Sequence, residues 1–265
     1  VSGQASDTAL RAWMMTRKPQ RDEHRAFWCH SAFGLRGKDW DASIRFLAEN
    51  GFNVILPNML WGGVAFYPSA VLPEYGELPE KGDQLAACLA ACKKHGVQCH
   101  VWKVNWNTGH NAPDDFVQRM VAEGRVQRNS EAETSDRVWL CPSHPANQEL
   151  EVESMLEIVR KYPVDGIHFD YIRYPGLTAC HCQGCRQRFS EKTGREFKRW
   201  PDDLRGNDDG AVWQAWLDFR RASIDAVVRR VSIEARKIRP DIQVSAAVFR
   251  NWPIDRDTIG QDWKM

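Results

Sequence analysis

The chain has 265 residues, and its 36 Lys and Arg residues are balanced by 35 Asp and Glu residues, for a formal net charge of +1. Because no basic excess is available to neutralise phosphates, we expect no nucleic-acid partner. Charged residues make up 27% of the chain and hydrophobic residues 43%, which is typical of a folded globular protein rather than a disordered one. No apolar run approaches the roughly 18 residues that span a bilayer, so we expect no transmembrane segment.

Short apolar runs alternate along the chain with longer amphipathic stretches, which predicts strands alternating with helices. In residues 84–95, for example, apolar side chains recur at i, i+3, i+4 and i+7, which is the helical period. The predicted strands cover residues 26–30, 52–57, 98–104, 137–141, 164–171 and 243–249. The predicted helices cover residues 39–50, 84–95, 114–123, 147–162 and 211–238. We predict loops over residues 58–80 and over a Cys-rich segment, residues 176–206.

Strands separated by helices of this length predict βαβ units and a parallel sheet. An open doubly wound sheet and a (β/α)8 barrel both fit this pattern. No glycine-rich phosphate loop follows the first strand, which weighs against a dinucleotide-binding open sheet. We therefore predict an α/β fold of the TIM (β/α)8-barrel type over residues 24–265, preceded by an N-terminal extension over residues 1–23. Only five main units are counted, so we expect the barrel to be incomplete or truncated.

Polar and aromatic residues follow the C-terminal ends of the predicted strands, where barrel enzymes build their sites. We predict that these residues line a substrate site: His30, Asn58, Trp61, Trp102, Asn105, Trp106, His168, Tyr171, Arg173 and Arg250. Trp61, Trp106 and Tyr67 are the stronger candidates for stacking on a ligand, because their segments contain Gly and Pro and are predicted loops. For any single member, packing in the core or in a loop is an equally good interpretation.

One strand is predicted to carry the chemistry. Side chains alternate along a strand, so His168 and Asp170 share one face while Ile167 and Phe169 share the other. The polar pair is expected to face the barrel interior, which places Asp170 at the mouth as a catalytic carboxylate. The alternative is that Asp170 forms a buried ion pair with Arg173.

Four of the eight cysteines have the spacing of a metal site. Cys180, Cys182 and Cys185 form a C-x-C-x2-C loop, and Cys141 is the natural fourth ligand. Four thiolates suit a structural zinc ion, with disulfides or free thiols as the alternatives and with His181 or His144 as a replacement for one cysteine. The other four lie on apolar faces and are expected to be buried small hydrophobic side chains: Cys29, Cys88, Cys92 and Cys99.

The run DGIHFDYIRYP, from Asp165 to Pro175, resembles the hallmark of glycoside hydrolase family 10-like proteins, and the FWCHSAF segment from Phe27 also fits. This resemblance implies a TIM barrel that acts on glycosidic bonds in a polysaccharide, with bacterial cell-wall glycan among the candidates. It also implies that Asp170 is the nucleophile. The cysteine pattern is similar to the zinc cluster of glycoside hydrolase family 42 β-galactosidases, where a Phe such as Phe189 follows the loop. The implied zinc would brace the loop rather than activate water.

Glycoside hydrolysis usually needs two carboxyl groups, and no second one stands at a strand end. The candidates lie in loops after strands: Glu74, Glu77, Asp255 and Asp257. A barrel that binds carbohydrate without cleaving it is therefore the alternative function. A metal-dependent deacetylase is a weaker one, since no HExxH motif is present. The resemblance implies an exported protein whose leader is not in this sequence, whereas reduced thiolates are easier to maintain in the cytosol.

Overall fold

The computed structural model describes residues 8–9, 23–128, 138–205 and 210–264. The predicted N-terminal extension therefore lies almost wholly outside the described residues. The strands are β1 (Ala26–Cys29), β2 (Val54–Trp61), β3 (Val64–Ala65), β4 (Gln98–Val104), β5 (Gly166–Asp170) and β6 (Gln243–Ala246). The helices are α1 (Trp40–Glu49), α2 (Leu78–Lys81), α3 (Gln84–His95), α4 (Asp114–Ala122), α5 (Pro145–Lys161), α6 (Gln183–Thr193), α7 (Ala211–Ile238) and α8 (Trp252–Thr258).

Five parallel strands form the sheet in the order β1-β2-β4-β5-β6, and β3 adds an antiparallel edge to the end of β2. The strands thus follow chain order, without the reversal that marks a doubly wound sheet. This is the wall of a (β/α)8-type barrel, as the sequence predicts. Among the described residues β1 pairs only with β2, and β6 pairs only with β5, so the wall does not close.

Alternation along the strands separates two faces. The face that includes Ile55, Val101 and Phe169 packs against the helices in the main hydrophobic core. The opposite, concave face holds a small apolar cluster of Val54, Leu56, Trp102 and Val104. Because β4, β5 and β6 are parallel, their C-terminal ends meet at one edge of the sheet.

Local signals explain the helices that the sequence predicts most accurately. The Asp83 side chain accepts a hydrogen bond from the Ala86 amide at the start of α3, and Gly96 ends that helix with a φ of 69°. The Asp39 side chain caps α1 in the same way, by accepting from the Ala42 amide. In the described part of the chain, no helix is both long and apolar enough to cross a membrane.

Three element predictions are wrong. Residues 58–80 are not one loop, because β2 continues to Trp61 and β3 and α2 follow it. The described part of the predicted strand 137–141 makes only isolated bridges, at Trp139 and Leu140. The Cys-rich segment contains α6, whose only buried side chains are Cys185 and Phe189, so the sequence carries little helical periodicity there.

Candidate active site

Asp170 stands at the C-terminal end of β5, half-buried on the concave face. Its Oδ2 accepts a hydrogen bond from Trp102 Nε1 at 3.2 Å, and its Oδ1 accepts one from the Tyr171 amide at 2.8 Å. Burial raises the pKa of Asp170, although both hydrogen bonds and the nearby Arg173 and His30 favour the charged form. The carboxyl group is therefore held in one orientation at the edge of the sheet.

Four aromatic rings, from β1 and the residue after it, from β4 and from β5, form a cluster on the concave face, and one of them, Trp102, contacts this carboxyl group. Trp102 lies 4.9 Å from Trp28 and 4.7 Å from His30 between ring centroids, and Trp28 lies 5.3 Å from His168. Trp102 is almost fully buried, whereas Trp28 is 40% exposed and His30 is exposed. Trp28 is not among the residues predicted to line the site, although strand alternation places it on the same face as His30.

His168 lies directly below Asp170 on the same face. Its Nδ1 is 2.8 Å from Ser245 Oγ on β6. Burial, with a smaller effect of His100, lowers the pKa of His168 to about 4, so the ring is neutral at pH 7. Gly166 lies two residues before His168 on β5, and a Cβ atom at position 166 would lie 2.6 Å from the His100 ring. The glycine of the DGIHFD run therefore makes room for a side chain of the neighbouring strand.

The chain after Asp170 forms a platform of stacked groups. The Tyr171 ring stacks on Trp139 at 5.3 Å with 5° between their planes, and Tyr171 adopts a φ of 53°. The Arg173 guanidinium lies 4.8 Å from the Tyr171 ring and 5.1 Å from the exposed Phe249 ring. Its Nη1 donates to the Tyr174 carbonyl oxygen. Among the described ion pairs none joins Arg173 to Asp170, so the structure does not support the ion-pair alternative.

Several predicted substrate-lining residues do not reach the cleft. Asn58 is buried, and its Nδ2 donates to the Trp102 carbonyl oxygen at 3.5 Å. Asn105, Trp106 and Tyr67 are fully buried in the core. The expectation that Trp106 and Tyr67 stack on a ligand is therefore wrong, because packing covers their rings. The remaining two predicted residues keep some exposure: Trp61, which is partly buried at the end of β2, and Arg250, which is exposed after β6.

Asn105 and Trp106 instead belong to a buried polar network behind the site. Glu151 of α5 accepts hydrogen bonds from Asn105 Nδ2 at 2.6 Å and from the Trp106 amide at 3.0 Å. Lys103 Nζ lies 3.3 Å from the same carboxylate and donates to Ser154 Oγ at 2.7 Å. The backbone N–H of Asn105 in turn donates a hydrogen bond to the Asp170 carbonyl oxygen at 2.8 Å. The network thus fixes the end of β4 beside Asp170.

The candidate second carboxylates are all engaged away from Asp170. Glu77 pairs with Lys81 at 2.9 Å, and Asp257 pairs with Arg221 at 2.6 Å. Asp255 Oδ2 accepts from the Asn251 amide at the start of α8, and Glu74 Oε1 accepts from the Ser69 amide. Among the described strand positions that face the concave side, Asp170 is the one carboxylate.

The four predicted metal ligands converge. The Sγ atoms of Cys141, Cys180, Cys182 and Cys185 lie within 4.8 Å of one another, and all four residues are buried. Cys141 Sγ is 3.4 Å from Cys185 Sγ and 3.8 Å from Cys182 Sγ. Hydrogen bonds from the other thiols lower the pKa of Cys182. Four buried sulfur atoms at these separations fit a closed tetrahedral zinc site.

The two histidine variants of this site are not favoured. The His181 ring stacks on Trp216, 5.7 Å away between centroids, and His144 is the N-cap residue that precedes α5. Neither belongs to the group of converging ligand atoms in the described part of the chain. Ser143 Oγ lies 3.2 Å from Cys185 Sγ, and Arg188 reaches both Ser143 and Cys141. These contacts place a positive charge against the thiols.

The fold agrees with solved structures of glycoside hydrolases. The PgaB (BpsB) glycoside hydrolase domain from Bordetella bronchiseptica superposes with a TM-score of 0.67 at 14% identity, covering 90% of this chain and 69% of that one. Alpha-L-fucosidase isoenzyme 2 from Paenibacillus thiaminolyticus superposes with a TM-score of 0.60 at 17% identity. The superposition covers 85% of this chain and 32% of the fucosidase chain. The chain therefore has the fold of the TIM-barrel glycoside hydrolases.

Residues 25–265 match the family model described as Glycosyl hydrolase-like 10, and the chain belongs to that family. Glycosyl hydrolase DigH of Escherichia coli strain K12 is 27% identical over 235 residues, which cover 81% of this chain and 49% of DigH. The chain thus spans about half the length of the curated relatives it matches. The family resemblance of the DGIHFDYIRYP run is confirmed.

Proposed function

We propose that the chain forms part of an enzyme that cleaves glycosidic bonds in a polysaccharide, with Asp170 as a carboxylate that acts at the scissile bond. The carrying observation is the placement of Asp170 at the C-terminal edge of the sheet, oriented by Trp102 and by the Tyr171 amide. The two hydrogen bonds suit a group that reacts as a carboxylate, since both stabilise its charge. Family membership and the name of the DigH relative support the same reaction class.

The groups around Asp170 suit a sugar. Trp28 and Tyr171 offer partly exposed rings close to the carboxyl group, and flat apolar sugar faces stack on such rings. His30 and Arg173 add polar contacts at the same edge. A second carboxyl group is needed for the usual mechanism. In the proposal it comes from a part of the protein other than the described strands.

A barrel that binds carbohydrate without cleaving it is the second candidate. The observation that favours it is the single carboxylate among the described concave strand positions. Such a protein would use the rings around Asp170 for recognition alone. Its affinity for glycan would then depend on Trp28 more than on Asp170.

The substitution Asp170→Asn in the full-length protein tests the first proposal. It keeps the shape of the side chain and removes the charge, so we expect release of reducing ends from the polysaccharide substrate to fall by roughly 10³-fold or more. Glycan binding and the thermal midpoint should change little. Asp255→Asn is the control, because that carboxylate caps α8. Turnover retained in the Asp170 variant would remove Asp170 from the mechanism, and a wild-type protein that binds glycan without turnover would support the second candidate.

We also propose that Cys141, Cys180, Cys182 and Cys185 hold a structural zinc ion. Protein purified without chelator should contain zinc, and Cys185→Ser should contain one zinc ion fewer per chain than the wild type. Cys29→Ser is the matched control, because Cys29 is buried but lies outside the cluster. Absence of zinc from the wild-type chain would refute the proposal. Export of the protein, which the family resemblance implies, remains a prediction.

A further inference from the structure

Three of the cysteines that the sequence analysis assigned to the core come together at one point. Cys88 and Cys92 lie one helical turn apart on the buried face of α3, and Cys99 lies on the helix-facing side of β4. Their Sγ atoms lie within 4.8 Å of one another, and those of Cys88 and Cys92 are 4.0 Å apart. All three residues are buried. We call this group the three-thiol cluster.

The separations match those of thiolates around one metal ion. With metal–sulfur distances near 2.3 Å, sulfur ligands lie about 3.8 Å apart in a tetrahedron and about 4.0 Å apart in a trigonal plane. The three-thiol cluster is close to this spacing without any shift of the backbone. Three small apolar side chains would fill the same space, but only thiols offer three ligand atoms directed at one centre.

Charged groups lie on two sides of the cluster. His95, in the last turn of α3, is a basic neighbour of Cys92. At the N-terminal end of β4, the Asp165 carboxylate accepts a hydrogen bond from the Cys99 backbone amide at 2.8 Å. The three cysteine side chains themselves are buried.

We propose that Cys88, Cys92 and Cys99 form a second metal site, which takes a thiophilic d10 divalent cation of the Zn²⁺ or Cd²⁺ class. Three thiolates leave one position of a tetrahedron for water. A divalent ion leaves the site with a smaller net charge than a monovalent ion would, which favours it in a buried position. The site lies on the helical side of the sheet, so its role is to join α3 to β4 rather than to act on a sugar.

Titration of the reduced protein with Cd²⁺, followed by thiolate-to-metal charge-transfer absorption, tests the site. We expect two ions per wild-type chain, one for Cys92→Ser, one for Cys185→Ser and two for Cys29→Ser. The Cys185 variant removes the four-thiol site, so failure of the zinc proposal and failure of this one give different results. Two ions in the Cys92 variant, or one ion in both the wild type and that variant, would overturn the second site.

A second measurement counts the sites in the wild-type chain, so that count does not depend on whether the cysteine variants fold. Cadmium NMR of the loaded wild-type chain should show two resonances, because a three-sulfur site and a four-sulfur site differ in their ligands. A single resonance at saturating Cd²⁺ that disappears in Cys185→Ser would overturn the second site, because that resonance would belong to the four-thiol site. Cys88→Ser serves in place of Cys92→Ser in the titration, with the same expected fall from two ions to one.

Discussion

At the scale of single residues, the concave face combines a half-buried acid with a neutral buried histidine. Asp170 keeps both oxygens in hydrogen bonds with N–H donors, whereas His168 has only Ser245 as a partner at its Nδ1. Burial acts on the two groups in opposite directions, since it raises the pKa of Asp170 and lowers that of His168. The face therefore holds a neutral His168 ring beside the Asp170 carboxyl group at neutral pH.

The low pKa of His168 predicts a dependence of stability on pH. In the unfolded chain a histidine titrates near 6.5, so between about pH 6.5 and pH 4 the unfolded state binds a proton that folded His168 does not. His168 alone should contribute a fall of roughly 3 kcal/mol in stability as the pH drops through this window. We expect His168→Gln to flatten that part of the profile in urea unfolding. His110→Gln, at an exposed position, should leave the slope of stability against pH unchanged. Equal slopes for the two variants would contradict the low pKa of His168.

The raised pKa of Asp170 predicts that activity is lost at acidic pH. Because burial raises the pKa of Asp170, a reaction that needs its ionised form should lose kcat/KM as the pH falls, with a midpoint above 3.8. Trp102→Phe removes the indole N–H that donates to Oδ2. This variant should move the midpoint upward, since the lost hydrogen bond stabilises the charged form. A midpoint that is unchanged or lower in Trp102→Phe would count against this role of the indole.

At the scale of secondary structure elements, α5 is joined to the end of β4 by a buried ion pair. Lys103 and Glu151 are both fully buried, and burial lowers the pKa of the lysine. The ion pair matters more for the backbone geometry that it fixes than for its net contribution to the free energy of unfolding. Glu151 also accepts hydrogen bonds from the Asn105 side chain and from the Trp106 backbone amide. The turn that follows β4 is thereby held against the Asp170 backbone.

Removal of one partner of this ion pair should be costly. Lys103→Met leaves the Glu151 carboxylate buried without its positive partner, and we expect a loss of about 3–5 kcal/mol in the free energy of unfolding, measured in urea. Lys94→Met is the comparison, because its pair with Asp41 is exposed to solvent and should contribute little to stability. A Lys103 variant no less stable than the Lys94 variant would show that the buried pair is not a strong constraint.

At the scale of the whole molecule, the sheet forms an open wall and the four-thiol cluster lies in its outer layer. The cluster brings the start of α5 next to α6, and Phe189 of α6 packs edge-on against Trp216 of α7, 5.1 Å away. Phe249 and Trp28 are exposed on or beside the concave face. The chain spans about half the length of its DigH relative.

If zinc holds this outer layer together, its removal should lower the thermal midpoint. A strong chelator is expected to reduce the midpoint of the wild-type chain by more than about 10 °C, which corresponds to several kcal/mol for a chain of this size. Cys182→Ser should start from a lower midpoint and respond much less to the chelator. A wild-type midpoint that does not change with chelator would argue against a structural ion in either thiol cluster.

The sequence by itself determined the order of strands and helices, the parallel sheet and the face on which Asp170 stands. These features depend on local periods, such as the alternation that separates His168 from Phe169, and on capping groups such as Asp83. The spacing of Cys180, Cys182 and Cys185 also carried enough local information to predict their convergence with Cys141. The incomplete barrel was predicted from the count of βα units.

Only the tertiary structure decided which of the candidate residues reach the cleft. Asn105 follows a strand end in the same way as Asp170, but it bonds to Glu151, 46 residues away, and is buried. Trp106 lies in a polar turn and is nonetheless enclosed by the core. The three-thiol cluster likewise depends on how α3 packs against β4. Contacts between distant segments decide which of these side chains are buried and which come together. Local sequence patterns do not contain information about such contacts.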